Sequence, residues 1–334
     1  MEFGKRQNKM LNKIKSASVM VNLYNLCVTR SKQELEYFNK VLQFITNLKQ
    51  GTTLQIVHFN FKSKDQIQNI TVNKTPLPVN LYNFDNKGLT TYQTTILTLQ
   101  DIANLYKPLK NEPIVWIYSG HSDGIYLAKK KLRLFRIEDY CEIVKLVTNR
   151  ADVMIFDCCL CANINCLYTC YGYTDYVISA SSYQSYLSVL HTQSIYRGKS
   201  DIPGYCKMVL KEMSSLEQVD PDAYDTNFNI YRVNESVLQL AKLVLVYKDQ
   251  FTCNKGFVID YASYKDLDCC FKDIGIDISK LLDKINLWTR YSKTKCVNKK
   301  LPRSKNYSIP SRLMIILKRT KRNAMPTKGD IFFN

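Results

Sequence analysis

The sequence lacks any run of about eighteen apolar residues, the length a helix needs to cross a bilayer, so no membrane span is expected. It has no glycine-rich phosphate loop, no internal repeat and no low-complexity tract ahead of its basic C-terminal stretch, which argues against nucleotide-binding and repeat architectures. Met1 to Lys15 is basic but has no hydrophobic segment of signal-peptide type behind it. Twelve cysteines in 334 residues fall short of disulfide-scaffold density. Several are adjacent or inside strand-like runs, which suits a reducing compartment, so an intracellular and cytoplasmic protein is expected. Cys158, Cys159, Cys161, Cys166 and Cys170 are dense but lack paired C-x2-C knuckles, and only His121 and His191 are nearby in the sequence. No metal and no cofactor are therefore expected.

Acidic residues are absent from Arg290 to Lys328, where thirteen Lys or Arg residues account for most of the formal charge of +18. The basicity thus belongs to the C-terminal stretch. Such a segment can hold nucleic acid or an anionic surface through phosphate contacts, or extend into solvent. Tyr307 to Leu317 also carries enough apolar residues to pack as a final strand.

What the chain does contain is enough apolar material, 46%, to bury a sizeable core. Ser16 to Cys27 reads as a first buried strand. Ser31 and Glu34 form a capping box before a helical repeat of apolar residues from Leu35 to Leu48. Leu54 to Phe61 is a second strand, Thr71 to Gly88 a loop or short hairpin, and Tyr92 to Lys107 a helix ending before Pro108. Beyond Ser182 the pattern predicts a helix over Gly204 to Met213 and a strand over Asn227 to Val233. A helix capped by Asn234 or Ser236 runs to Tyr247, and a strand over Phe257 to Tyr261 is followed by helical spacing through Trp288. Alternating strands and helices imply a parallel sheet covered on both faces.

Ile114 to Ser182 holds the chemistry. Ile114 to His121 and Asp152 to Cys159 are continuous apolar runs of strand length, each ending in a reactive polar residue, with helical spacing from Ile137 to Asn149 between them. In a strand, crossover helix, strand unit the two strands are parallel neighbours, so His121 and Cys159 emerge at one edge of the sheet. A thiol becomes a useful nucleophile when a histidine pairs with it or a helix N-terminus faces it. Leu160 to Cys170 has neither proline nor glycine and reads as such a helix. An acid-base histidine contributes roughly 100 to 10,000-fold in rate.

Gly120-His121-Ser122-Asp123-Gly124 followed by Asp157-Cys158-Cys159 resembles the His and Cys motifs of the caspase-like cysteine peptidases, most closely the clostripain-like branch. Asp175 to Ser182 is similar to the next core strand of that branch, and the resemblance spans roughly residues 18 to 290. It implies an α/β three-layer sandwich with a mostly parallel sheet, Cys159 as nucleophile and His121 as acid-base partner. It also implies backbone amides of Ser122 and Cys159 at the oxyanion, and Asp157 with Ser181 and Ser182 at the pocket for the residue before the scissile bond. A carboxylate at Asp157 favours Arg or Lys there. Ser122 stands where the family has glycine, and the Ser-Ser-Tyr run after Ala180 lacks an acidic residue found in relatives.

The expected organisation is a basic segment 1–15, a catalytic core 16–200, a C-terminal α/β part 201–290 packed on it, and a basic tail 291–334. The expected activity is that of a cysteine endopeptidase acting on protein or peptide substrates. Lys129 to Arg136 and Arg197-Gly198-Lys199 are candidate self-processing sites. The alternative is a catalytically inactive scaffold that uses its basic tail to hold nucleic acid or an assembly.

Overall fold

Apolar runs of strand length supply the middle of one large sheet, and their two-residue alternation decides which face each side chain takes. A computed structural model describes residues 22–27, 54–59, 77–85, 88–97, 100–101, 104, 113–130, 133–182, 189, 192–196, 201–217, 226–259, 262–292 and 312–318. The chain begins with β1 (Asn22–Cys27), β2 (Leu54–Phe59), β3 (Leu77–Asp85), β4 (Gly88–Leu97) and β5 (Ile114–Ser119). A ribbon of β6 (Tyr126–Lys130) and β7 (Arg133–Arg136) leads into α1 (Ile137–Thr148), β8 (Ala151–Asp157), α2 (Ile164–Cys170) and β9 (Thr174–Ala180). Then come α3 (Ile202–Glu217), β10 (Thr226–Arg232), α4 (Glu235–Tyr247), β11 (Gly256–Ile259) and β12 (Ala262–Asp266). The last elements are α5 (Leu267–Asp273), α6 (Ser279–Ile285), β13 (Asn286–Ser292) and β14 (Met314–Lys318).

Nine strands form one sheet in the order β13-β10-β9-β8-β5-β1-β2-β3-β4. Its centre, from β9 to β2, is parallel, and antiparallel strands extend it on both sides. β11, β12 and β14 make a separate three-stranded sheet. Along β5, Val115 and Ile117 join the core under α3, while Trp116 and Tyr118 join the core under α1, α2 and α4. Tyr140 on α1 meets Trp116, Tyr118 and Phe156 edge-on at centroid distances of 5.8 to 6.0 Å. Such pairs each contribute about 0.5–1.5 kcal/mol beyond burial. The α/β three-layer sandwich expected from the sequence is the architecture observed.

Local chemistry sets the helix ends. Asp139 in the first turn of α1 accepts the Arg136 N–H at 2.8 Å, and Asn149 closes the helix in a left-handed conformation, φ 65°, donating its N–H to Lys145 O at 2.9 Å. Asn234 caps α4 by accepting the Ser236 N–H at 3.0 Å. No described helix is long and apolar enough to cross a membrane.

Three expectations are corrected. Tyr92 to Leu97 is not helical but belongs to β4, paired with β3 as a long hairpin. Its Thr91, Thr94, Thr95 and Ile96 are β-branched, and pairing with β3 outweighs the helical spacing. The helical pattern read through Trp288 is broken into β12, α5 and α6, and ends at Ile285. Leu287 and Trp288 lie in β13, an edge strand antiparallel to β10. Third, α3 starts at Ile202, ahead of Gly204, because Pro203 is tolerated in a first turn. The predicted final strand is present as β14, whose Met314, Ile315 and Ile316 are fully buried, so this part of 291–334 packs into the core. The helix expected at Leu35 to Leu48 lies outside the described residues.

Candidate active site

β5 and β8 are hydrogen-bonded parallel neighbours, with Val115 opposite Val153 and Ser119 opposite Asp157. Gly120 extends this pairing by donating its N–H to Asp157 O at 3.3 Å. Both strands release the chain at the same edge, so His121 and Cys159 lie on adjacent loops there. His121 is exposed, Ser122 and Cys159 are partly buried, and Asp157, Cys158, Ser181 and Ser182 are buried.

The histidine loop is held by its own polar groups. Asp123 Oδ1 accepts the N–H groups of Ile125 and Tyr126 at 3.1 and 2.8 Å, and the Tyr118 hydroxyl donates to His121 O at 3.1 Å. The Tyr264 hydroxyl, arriving from β12, donates to Asp123 O at 2.7 Å. Gly124 has φ 86°, and a Cβ there would lie 2.7 Å from Leu160 O and 2.8 Å from Ile316 Cδ1. Only glycine lets this loop rest on the cysteine loop. Ser122 has no positive φ, unlike Asn149 and Leu160, so its backbone does not require the glycine usual in the family. Its hydroxyl accepts the Gly124 N–H at 2.8 Å and sits 3.3 Å from Cys161 Sγ.

The cysteine loop corrects one expectation. No helix begins at Cys159; the chain turns over residues 158–160, with Leu160 in a left-handed conformation at φ 66°, and α2 starts only at Ile164. The Cys159 thiol is therefore not held at a helix N-terminus. Leu160 N–H donates to Ser182 O at 3.1 Å and Ala162 N–H to Ala180 O at 3.0 Å, tying the loop to the end of β9. Met314 N–H donates to Ala162 O at 3.0 Å, tying it to β14 as well.

Asn163 joins the two loops. Its buried Nδ2 donates to Gly124 O at 2.9 Å and to Leu160 O at 2.8 Å, while its Oδ1 accepts the Cys166 N–H at 2.9 Å and caps α2. A leading asparagine before an apolar repeat is a capping signal in sequence. The reach to Gly124 has no sequence signal, and neither does Tyr264.

Asp157 is fully buried, and the Ser119 hydroxyl donates to its Oδ2 at 3.3 Å. Ser181, just past the end of β9, is buried as well, its hydroxyl engaged with the backbone of Asn227 at 3.2 Å. Cys158 and Cys159 divide by environment. Burial, with a hydrogen bond to Cys161, raises the Cys158 pKa well above the ordinary thiol value. Burial raises Cys166 and Cys170 likewise. At Cys161 burial also opposes ionisation, but hydrogen bonds from Cys158, Cys166 and Ser122 outweigh it and lower the pKa. The described cysteine side chains are all free thiols.

His58 lies in β2, paired with Asn25, while His191 and Arg197 to Lys199 fall outside the described residues. Lys129, Lys130 and Arg133 to Arg136 lie in the β6–β7 ribbon, with Lys131 and Leu132 outside the described residues.

No protein-family profile and no curated protein matches the chain. Solved structures do. An inactive zymogen C11 protease from Parabacteroides distasonis superposes with a TM-score of 0.61 at 12% identity, covering 90% of this chain and 92% of that one. The fold is that of the clostripain-like, C11 cysteine proteases. A secreted C11 cysteine protease from Bacteroides thetaiotaomicron, bound to an irreversible peptide inhibitor, matches at 0.56 and 10% identity over 86% of this chain and 88% of that one. A further structure of a secreted C11 protease from that organism matches at 0.53 and 11% identity, covering 89% and 95%. In this C11 fold the two motif strands are neighbours in the parallel centre of the sheet.

Proposed function

We propose that the chain is a cysteine endopeptidase. The observation that carries the reading is the parallel pairing of β5 and β8 with Ser119 opposite Asp157, which delivers His121 and Cys159 to one edge of a C11-type sheet. Without a helix N-terminus behind Cys159, pairing with His121 is the source of activation for the thiol. Cys159 gives its thiol proton to His121 and attacks the scissile carbonyl carbon, and the oxyanion is stabilised by the backbone N–H groups of Ser122 and Cys159, a contribution of about 2.7–4 kcal/mol per donor. His121 gives its proton to the leaving amine as the C–N bond breaks. Water, deprotonated by His121, then hydrolyses the thioester and frees Cys159.

Asp157, with Ser181 and Ser182 beside it, forms the pocket for the residue before the scissile bond. A fully buried carboxylate favours a cation, bidentately if it is arginine, so cleavage follows Arg or Lys. The catalytic residues belong to 16–200, and 201–290 packs against that core. Basic residues of the tail 291–334 give affinity for nucleic acid or another anionic surface, which falls steeply with added salt.

The test is a fluorogenic Arg or Lys peptide, with Cys159→Ala as control. Turnover by the wild type and none by the variant is expected, and an arginyl ketone labels Cys159. No turnover and no labelling by the correctly folded wild type leaves an inactive scaffold instead. Self-processing after Lys129 to Arg136 or after Arg197 or Lys199 gives fragments in the wild type that Cys159→Ala lacks; identical fragments in both exclude it.

A further inference from the structure

Away from the β5–β8 edge, three side chains converge that the peptidase reading leaves unused. Cys253 follows the short 3-10 turn Lys248–Gln250 and precedes β11, and Cys269 and Asp273 stand one turn apart on α5. The Cys253 sulfur, the Cys269 sulfur and a carboxylate oxygen of Asp273 all lie within 4.8 Å of one another. Cys269 Sγ is 3.9 Å from Asp273 Oδ1. Two ligands of a tetrahedral zinc ion sit about 3.6 Å apart for sulfur and oxygen, and about 3.8 Å for two sulfurs. Rotamer-scale adjustment is enough to close the group around an ion.

We propose that Cys253, Cys269 and Asp273 bind a zinc ion, with a water molecule in the fourth position. The donor set decides the metal: two thiolates and one carboxylate suit zinc and disfavour calcium or magnesium, which take oxygen ligands. Asp273 is exposed, so its side of the group is open to the water ligand. On binding, both thiols release their protons to solvent and the sulfurs become zinc ligands.

The surroundings support thiolate ligation. The Lys255 N–H donates to Cys253 Sγ at 3.3 Å, the kind of backbone bond that orients a ligating sulfur. Asp266 fixes the start of the ligand-bearing helix by accepting the Cys269 N–H at 3.1 Å. Lys255 pairs with Asp266 at 2.8 Å and Lys272 with Asp268 at 2.7 Å. Both ammonium groups are thus held by carboxylates outside the cluster. The ion would pin the segment before β11 to α5, the helix that directly follows β12.

The experiment uses the Cys159→Ala chain, so that neither the candidate nucleophile nor activity enters the readout. Reduced, chelator-treated protein is titrated with Co2+, then with Zn2+. One Co2+ per chain is expected, with thiolate-to-cobalt charge-transfer absorption and the visible bands of tetrahedral cobalt, both erased by Zn2+. Cys269→Ser is expected to lose these bands. Asp273→Asn, exposed and compatible with folding, is expected to weaken binding at least about tenfold, the lower end of what even changes beyond the direct ligands cost a metal site. Zinc should also raise the melting temperature of the Cys159→Ala chain but not that of its Cys269→Ser derivative. The proposal is overturned by absence of thiolate-cobalt bands, or by unchanged uptake in Cys269→Ser and Asp273→Asn. It is also overturned by a Cys253–Cys269 disulfide whose reduced form takes up no metal.

Discussion

Asn163 shows how much of a site can rest on one side chain that never touches substrate. Its amide nitrogen holds Gly124 O and Leu160 O together, and its oxygen caps α2. Asn163→Asp keeps the cap but loses both N–H donors. It is expected to destabilise the protein by about 2–4 kcal/mol, because two buried carbonyls are left unpaired, and to lower kcat/KM more than Ala substitution at an exposed polar residue does. Chemical denaturation and peptide kinetics check both. The thiols make a second residue-scale prediction. Burial keeps Cys158, Cys166 and Cys170 protonated far above neutral pH, so raising the pH within the native range does not expose reactive thiolate at these positions. Iodoacetamide should therefore alkylate Cys159 well before Cys158, and mass spectrometry of the digest reads the order. Labelling of Cys158 at a comparable rate would remove the distinction between the two.

At the scale of elements, the histidine loop depends on a strand far along the chain. Tyr264→Phe removes the bond from β12 to Asp123 O, a loss of about 0.5–1.5 kcal/mol. Peptide turnover should fall while the fold, followed by far-ultraviolet circular dichroism, is retained. This kind of support is what the sequence conceals. Val115 to Tyr118 and Val153 to Phe156 announce buried parallel strands, because unbroken apolar runs of that length have few other homes, and Ile137 to Val147 announces the crossover helix between them. The juxtaposition of His121 and Cys159 loops follows from those three elements. Tyr92 to Leu97 misleads because its spacing is helical while its β-branched threonines obey β3 across the hairpin. The turn at Leu160 misleads because a left-handed leucine has no signal in sequence; the bonds to Ser182 O and Ala180 O impose it. Pairings such as Tyr264 with Asp123 join residues too distant in the chain for any local pattern to report.

For the molecule as a whole, β14 is an integral part of the core. Leu313, Met314, Ile315 and Ile316 are essentially fully buried, and each such side chain contributes about 1.5–3 kcal/mol. Their sum is comparable to the total stability of a domain, about 5–15 kcal/mol. Truncation before Leu313 is therefore expected to abolish cooperative thermal unfolding as well as activity, and calorimetry checks it. An active, cooperatively melting truncated chain would contradict the placement of β14 in the core.

The bond from Met314 to Ala162, and the contact of Gly124 with Ile316, put a strand from far along the chain beneath the loops that carry Cys159 and His121. During translation those loops lack this support until the chain has been made through β14. A site that cuts after basic residues, as proposed, thus stays incomplete in the nascent chain until β14 has emerged.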